Sequence, residues 1–242
     1  MMATAAYNLS EDAYVCVADD YLVFSDLRSD KYHCLSRTNT EILLRSLPAF
    51  KPTGVQTNRD VRASDRIQAQ RVVQALAKGR LIVDASEPGR TFAPIEMPEP
   101  SCSILSQTTD SPTGCSLGES TSFLCSSLKA SAKLRYLPLR QTVRGIERRK
   151  RQLCRSTRND DDTLRRLVMI FNRLRPYYGR DYLCRFDSLA LVEFLACYRQ
   201  FPQWVFGVKS QPFGAHCWVQ NGPCLLNDSI DYVRQFTPIM AF

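Results

Sequence analysis

The chain has 242 residues, 44% of them apolar and 23% charged, with a formal net charge of +8. This length and composition exclude a disordered or fibrous chain and allow a buried core in one large domain or two small ones. No apolar run reaches the roughly 20 residues of a membrane span, and "MMATAAYNLSEDAY" has no basic stretch leading into an apolar one. A cytoplasmic protein with no membrane span is therefore expected.

Three short strands are predicted across 13–35, "AYVCVAD", "YLVFSDL" and "KYHCLS", with turn chemistry in "ADD" and "RSD" between them. Residues 36–39 offer capping side chains for a helix on "TEILLRSL", and "KPTGVQTN" breaks the chain after it. "SDRIQAQRVVQALAKG" reads as a second helix, with Ile67, Val72 or the stem of Arg71, Ala75 and Leu76 on one face and Gly79 as its stop; "RLIVDAS" closes the unit. Taken in order, "YLVFSDLRSDKYHCLSRTNTEILLRSL…RVVQALAKGRLIV" resembles the PqqD-like precursor-recognition element of enzymes that mature ribosomal peptides, over about residues 12–86. The resemblance implies a small winged-helix-like domain that binds a leader peptide. The third strand, Lys31, Tyr32, His33, Cys34 and Leu35, has no fourth strand evident after it. It is expected to be an open edge on which an extended leader adds as a strand, with the helix 65–78 as the other wall of the groove.

Residues 85–128 hold five prolines, ten serines and a single basic residue, Arg90, which is the composition of a linker, placed at 87–119. Helical patterns follow in "SFLCSSLKASAKLRYL", in "RQTVRGIERRKRQL" beyond Pro138, and in "DDDTLRRLVMIFNRLRPYYG". In the last, acidic residues 160–162 suit a helix start, and Leu164, Leu167, Val168, Phe171 and Leu174 share a face. Residues 129–180 carry 16 Lys/Arg against 4 Asp/Glu. Most of this charge is read as a solvated helix face, and the segment lacks the interleaved aromatics of a nucleic-acid platform, so no nucleic-acid partner is expected. The ten cysteines include no C-x-x-C pair. A metal site is therefore not expected, and most of these thiols should behave as small hydrophobes.

"YLCRFDSLALVEFLACYRQF" is apolar on most sides and reads as a buried helix opened by Cys184, where the helix N-terminus favours a thiolate. Three strands follow, "QWVFGVKS", "AHCWVQ" and, after an "NG" turn, "CLLND". His216 and Asp228 then project from neighbouring strands toward the helix start, a layout for a nucleophile, a base and an orienting carboxylate. By spacing alone, a satisfied structural histidine remains the commoner reading. The stretches "C-x-x-x-S-L-A-L", "VFGVKSQPFGAHCWV" and "LND" resemble the peptidase module of the B proteins of lasso-peptide maturation, over about residues 176–242. The resemblance implies a cysteine peptidase of papain/transglutaminase-like fold, spanning 120–242, that removes the leader from a lasso precursor peptide. Its catalytic residues fall on Cys184, His216 and Asp228. It further implies transfer of the freed core to an ATP-dependent, asparagine-synthetase-like lasso cyclase, so that this chain itself uses no cofactor. Arg185 stands where an apolar residue is common, and "HCW" replaces "HAW". The whole is expected to be an α+β chain of two domains. An acyltransferase of transglutaminase or arylamine N-acetyltransferase type, or a non-enzymatic basic binding protein, remain the other readings.

Overall fold

The computed structural model describes residues 7–46, 62–106, 114–153 and 161–242. The expected break at 51–58, the end of the arginine run at 154–158 and Asp160 lie outside the described residues. Contacts divide the chain into two compact units, residues up to Glu96 with Val208–Gly214, and Met97–Gly207 with Ala215–Phe242.

The N-terminal unit contains β1 (Tyr7–Leu9), β2 (Ala13–Ala18), β3 (Tyr21–Asp26), β4 (Lys31–Cys34), α1 (Arg37–Ser46), α2 (Ala63–Lys78) and β5 (Ile82–Asp84). The meander β2-β3-β4 forms as its alternation predicts, antiparallel throughout. Its turns place Asp19, Asp20 and Asp30 at positive φ, a region that short polar side chains tolerate. β1 carried no sequence signal; it pairs antiparallel with β5, setting Leu9 opposite Ile82. Val15, Leu22, Phe24, Leu43, Val72, Val73, Leu76 and Ile82 share one core. The buried stripe of α2 is Ala69, Val72, Val73 and Leu76, whereas Ile67 is 55% exposed and Ala75 is exposed. The stripe is thus rotated from the expected face onto a set spaced i, i+3, i+4, i+7. Gly79 ends α2 in the ordinary right-handed region, and the chain reverses instead at Arg80, φ 53°. The carbonyls just past the helix, of Gly79 and Arg80, accept from the Arg28 guanidinium at 3.1 and 3.0 Å.

The C-terminal unit begins within the stretch read as linker. β6 (Cys102–Ser103) pairs parallel with β9 (Cys224–Leu225) and supplies an edge of a five-stranded sheet ordered β10-β7-β8-β9-β6. The other members are β7 (Gln203–Ser210), β8 (Phe213–Asn221) and β10 (Thr237–Ala241), with the short helix α7 (Ile230–Val233) between β9 and β10. Four longer helices precede β7: α3 (Leu117–Tyr136), α4 (Leu139–Leu153), α5 (Asp161–Leu174) and α6 (Cys184–Cys197). α3 starts earlier than its apolar pattern suggests because Ser116 and Glu119 form a reciprocal capping box. α6 is buried on nearly every side, from Phe186 to Ala196, as its all-round apolar sequence requires.

The arginine-rich segment is only partly a solvated face. Lys133 of α3 and Arg149 of α4 both reach the fully buried Glu193 of α6, each at 2.8 Å. Arg166 of α5 pairs with the buried Glu119 at 2.6 Å. Burial alone would raise the Glu193 carboxyl, but the hydrogen bonds and charges of Arg149 and Lys133 outweigh it and hold it below the usual carboxylate range. Among the described residues no helix is long and apolar enough to cross a membrane.

Candidate active site

Cys184 occupies the first position of α6 and is exposed, after Leu183 in an extended conformation (φ −129°, ψ 118°). β8, the third strand of the sheet's order, brings His216 and Cys217 to this helix end. Asp228 lies just beyond β9, where the chain turns into α7, rather than on the strand itself. The three residues meet. His216 Nε2 stands 2.5 Å from Asp228 Oδ2, and His216 is also hydrogen-bonded to Cys184. With Nε2 committed to the carboxylate, Nδ1 is the ring nitrogen left for the thiol.

Apolar rings frame the imidazole. Tyr232 lies roughly perpendicular to it at 4.9 Å, Phe236 lies at 5.2 Å and Trp218 is stacked at 6.1 Å. This apolar surround by itself would pull the histidine pKa down. The hydrogen bonds and negative charges of Asp228 and Cys184 outweigh it and hold the imidazole up at about 9. The thiol moves the opposite way. Hydrogen bonds from the Cys217 side chain, first, and from His216 lower it, burial opposes them, and the Cys217 backbone N–H and the His216 charge add to the lowering, giving about 4. Cys217 itself is pushed well above the ordinary thiol value, chiefly by burial and then by its neighbour Cys184. The site therefore holds an anionic sulfur beside a cationic imidazole over a common pH range, a pair able to attack a carbonyl carbon and protonate a leaving group.

Supporting contacts come from residues the sequence did not single out. Ser188 of α6 donates to the Cys217 carbonyl at 3.1 Å and accepts from the Asn227 amide at 3.0 Å. Asn227 Oδ1 accepts the Val219 N–H at 2.7 Å, so Asn227 ties the strand to the following turn while Asp228 faces the imidazole. Asp228 is fixed at both ends of the residue: Oδ1 takes the Ser229 N–H at 2.8 Å, and its carbonyl takes the Ser103 hydroxyl at 2.6 Å. The asparagine in "LND" and the serine in "SLAL" were visible as letters, but only packing assigns them these partners. Among the described residues no group of three or more His, Cys, Asp or Glu is disposed to hold a metal ion.

The residues read as leader-binding belong to the N-terminal unit. Lys31, Tyr32, His33 and Cys34 form β4, which pairs only with β3 among the described residues. Lys31, His33 and Cys34 are exposed and Tyr32 is half-buried. Leu35 differs: its side chain packs against the core and its N–H donates to the Leu22 carbonyl at 2.9 Å. Since hydrogen-bonded pairs alternate along an antiparallel ladder, Cys34, opposite Val23, turns its backbone N–H and C=O away from β3.

Residues 127–241 match the family model described as transglutaminase-like superfamily. No curated protein and no solved structure matches the chain. The C-terminal part is thus a transglutaminase-like domain, and Cys184, His216 and Asp228 all fall within it. Such a domain is compatible with cysteine peptidase or acyltransferase activity.

Proposed function

We propose that the protein is a cysteine peptidase that removes the leader from a lasso precursor peptide, with Cys184, His216 and Asp228 as its catalytic residues. The observation that carries the reading is the alignment of an exposed thiol at a helix start with a histidine and a carboxylate inside a transglutaminase-like domain. Cys184 Sγ attacks the scissile carbonyl, and the developing oxyanion lies near the Cys184 backbone N–H at the start of α6. His216 gives its Nδ1 proton to the departing amine, which is the N-terminus of the core peptide. The acyl-enzyme left on Cys184 carries the leader's C-terminal residue. Water, deprotonated by His216, then hydrolyses it, releasing the leader carboxylate and restoring the thiolate. Asp228 orients the ring and stabilises its charged form throughout.

The N-terminal unit serves recognition in this reading: the leader adds as a strand along β4, using backbone groups such as those of Cys34, and tethering raises its local concentration at the peptidase. The released core passes to an ATP-dependent cyclase. The test is to incubate the purified chain, with and without that cyclase, with the precursor peptide and to weigh the products by mass spectrometry. A free leader ending in a carboxylate is expected. A leader joined to an added amine would identify an acyltransferase instead, and intact precursor under both conditions would overturn the reading.

A further inference from the structure

Directly before α6, residues 178–183 form neither helix nor strand, yet they deliver the chain to Cys184. One side chain organises them. Arg175, 3% exposed, opens the 3₁₀ turn Arg175–Tyr177 that follows α5, with its guanidinium turned inward. Its Nη1 donates to the Tyr178 carbonyl at 3.1 Å, and its Nη2 donates to the carbonyls of Arg180 at 3.1 Å and Asp181 at 3.0 Å. Its Nε donates to Asp187 Oδ1. The other carboxylate oxygen, Asp187 Oδ2, accepts the Leu183 N–H at 2.7 Å. The guanidinium also lies over the Tyr182 ring, 4.3 Å from its centroid, and Phe186 stacks on Tyr178 at 5.5 Å. One guanidinium and one carboxylate thus hold both ends of the loop that precedes the thiol.

The charges matter as much as the bonds. Asp187 lies in the first turn of α6, the helix whose first residue carries the sulfur. A bare carboxylate there would compete for the positive end of the helix and disfavour a second anion one turn away. His216, with Asp228 behind it, and Cys217 face the thiol from β8; Arg185 and Asp187 share its helix; Arg175 comes from the preceding segment, and Arg180 lies over the Phe186 ring. Of these, the buried Arg175 is the cation paired directly with Asp187.

We infer that Arg175 is a positioning residue for the nucleophile: it neutralises Asp187 and fixes the approach to α6, so that this helix end is reserved for the Cys184 thiolate. The inference rests on the reading of Cys184 as the nucleophile but not on the identity of the substrate. Its test uses the full-length chain with Arg175→Gln, Asp187→Asn and the double substitution. Iodoacetamide alkylation of Cys184 is followed against pH, with the modified peptide located by mass spectrometry and folding checked by circular dichroism. Arg175→Gln should move the alkylation midpoint upward, slowing the reaction about tenfold at pH 5. The double variant should return to within about threefold of the parent, since the uncompensated charge is gone. Asp187→Asn alone should leave the midpoint at or below that of the parent. A parental profile in Arg175→Gln, or a double variant as slow as it, overturns the inference. Should Arg175→Gln fail to fold, an upward shift in Asp187→Asn overturns it and an unshifted or lowered midpoint supports it. A parent chain that alkylates as described but leaves the precursor intact sinks only the peptidase reading. A chain that cuts while Arg175→Gln keeps the parental profile sinks only this one.

Discussion

At the scale of single residues, the proposed chemistry depends on two titrations displaced in opposite directions. Cys184 falls from the ordinary 9.0 to about 4, so its thiolate persists until the pH drops through about 4. His216 rises from 6.5 to about 9, so its proton is kept until the pH climbs through about 9. The charged pair exists only between these limits. For a peptidase using it, kcat/KM should be flat across that window, falling on the acid side as the thiolate is protonated and on the alkaline side as the imidazole loses its proton. A pH–rate profile on a synthetic precursor checks this; an acid limb near pH 8 would mean that the thiol is not pre-ionised. In the proposed mechanism the roles within the triad are unequal as well. His216→Ala removes the proton carrier, whereas Asp228→Asn removes only its orienter, so the second should cost one to two powers of ten less in kcat/KM, by roughly the margin seen when such residues are deleted separately. Single-turnover assays of the two variants make the comparison. Asn227 is not a substitute for Asp228, because its amide is already bonded to Val219 and Ser188.

At the scale of elements, the sheet holds His216 through a contact that tolerates no added atom. Gly207 of β7 lies beneath Trp218 of β8: a Cβ at this position would stand 2.8 Å from two atoms of the indole and 3.0 Å from the Phe236 Cβ. Trp218 and Phe236 are two of the three rings around the imidazole. A glycine inside an apolar strand pattern signals such a close approach, though not what approaches it. Gly207→Ala should therefore lower stability by about 1–3 kcal/mol by overpacking, and reduce activity beyond what the stability loss explains, because the displaced rings carry His216 with them. Urea unfolding and kcat measured on the same preparation would separate the two effects; unchanged values in both would show that the rings can yield.

Across the whole molecule, the strand proposed for recognition, β4, and the proposed catalytic residues belong to different units, so in that reading binding and chemistry should be separable by mutation. Cys34 turns its backbone N–H away from β3, and replacing it with proline would remove that donor without breaking the β3–β4 ladder. In the proposed reading Cys34→Pro weakens leader binding about tenfold, the worth of one good hydrogen bond. The rate of iodoacetamide alkylation at Cys184 should stay as it was. Fluorescence anisotropy with a labelled leader reads the first quantity and mass spectrometry the second. Undiminished affinity would remove β4 as the docking edge.

Wherever a feature depends on near neighbours in the chain, the sequence by itself determined it. The meander strands alternate with a period of two, α5 and α6 follow from helical spacing or all-round apolarity, and the acidic start of α5 is a matter of adjacent residues. His216 and Asp228, twelve positions apart across a short turn, belong to the same class, and so their meeting could be read in advance. The capping box that starts α3 is equally local, written in Ser116 and Glu119 ahead of the apolar pattern that follows. Only the tertiary structure could decide the rest. β1 is three residues long and becomes a strand because β5 offers it an edge more than seventy positions away. Lys133 and Arg149 look like solvated charges until α6 presents a buried Glu193. Ser103, in a stretch with the composition of a linker, reaches the Asp228 carbonyl across 125 positions. Partners so distant leave no periodic trace, because a hydrogen bond or ion pair constrains where two groups meet in space and says nothing about the residues between them. Cys217 shows the boundary most clearly: its letter marked a departure from "HAW", and only the packing of β8 against α6 turned its thiol and N–H toward the sulfur of Cys184.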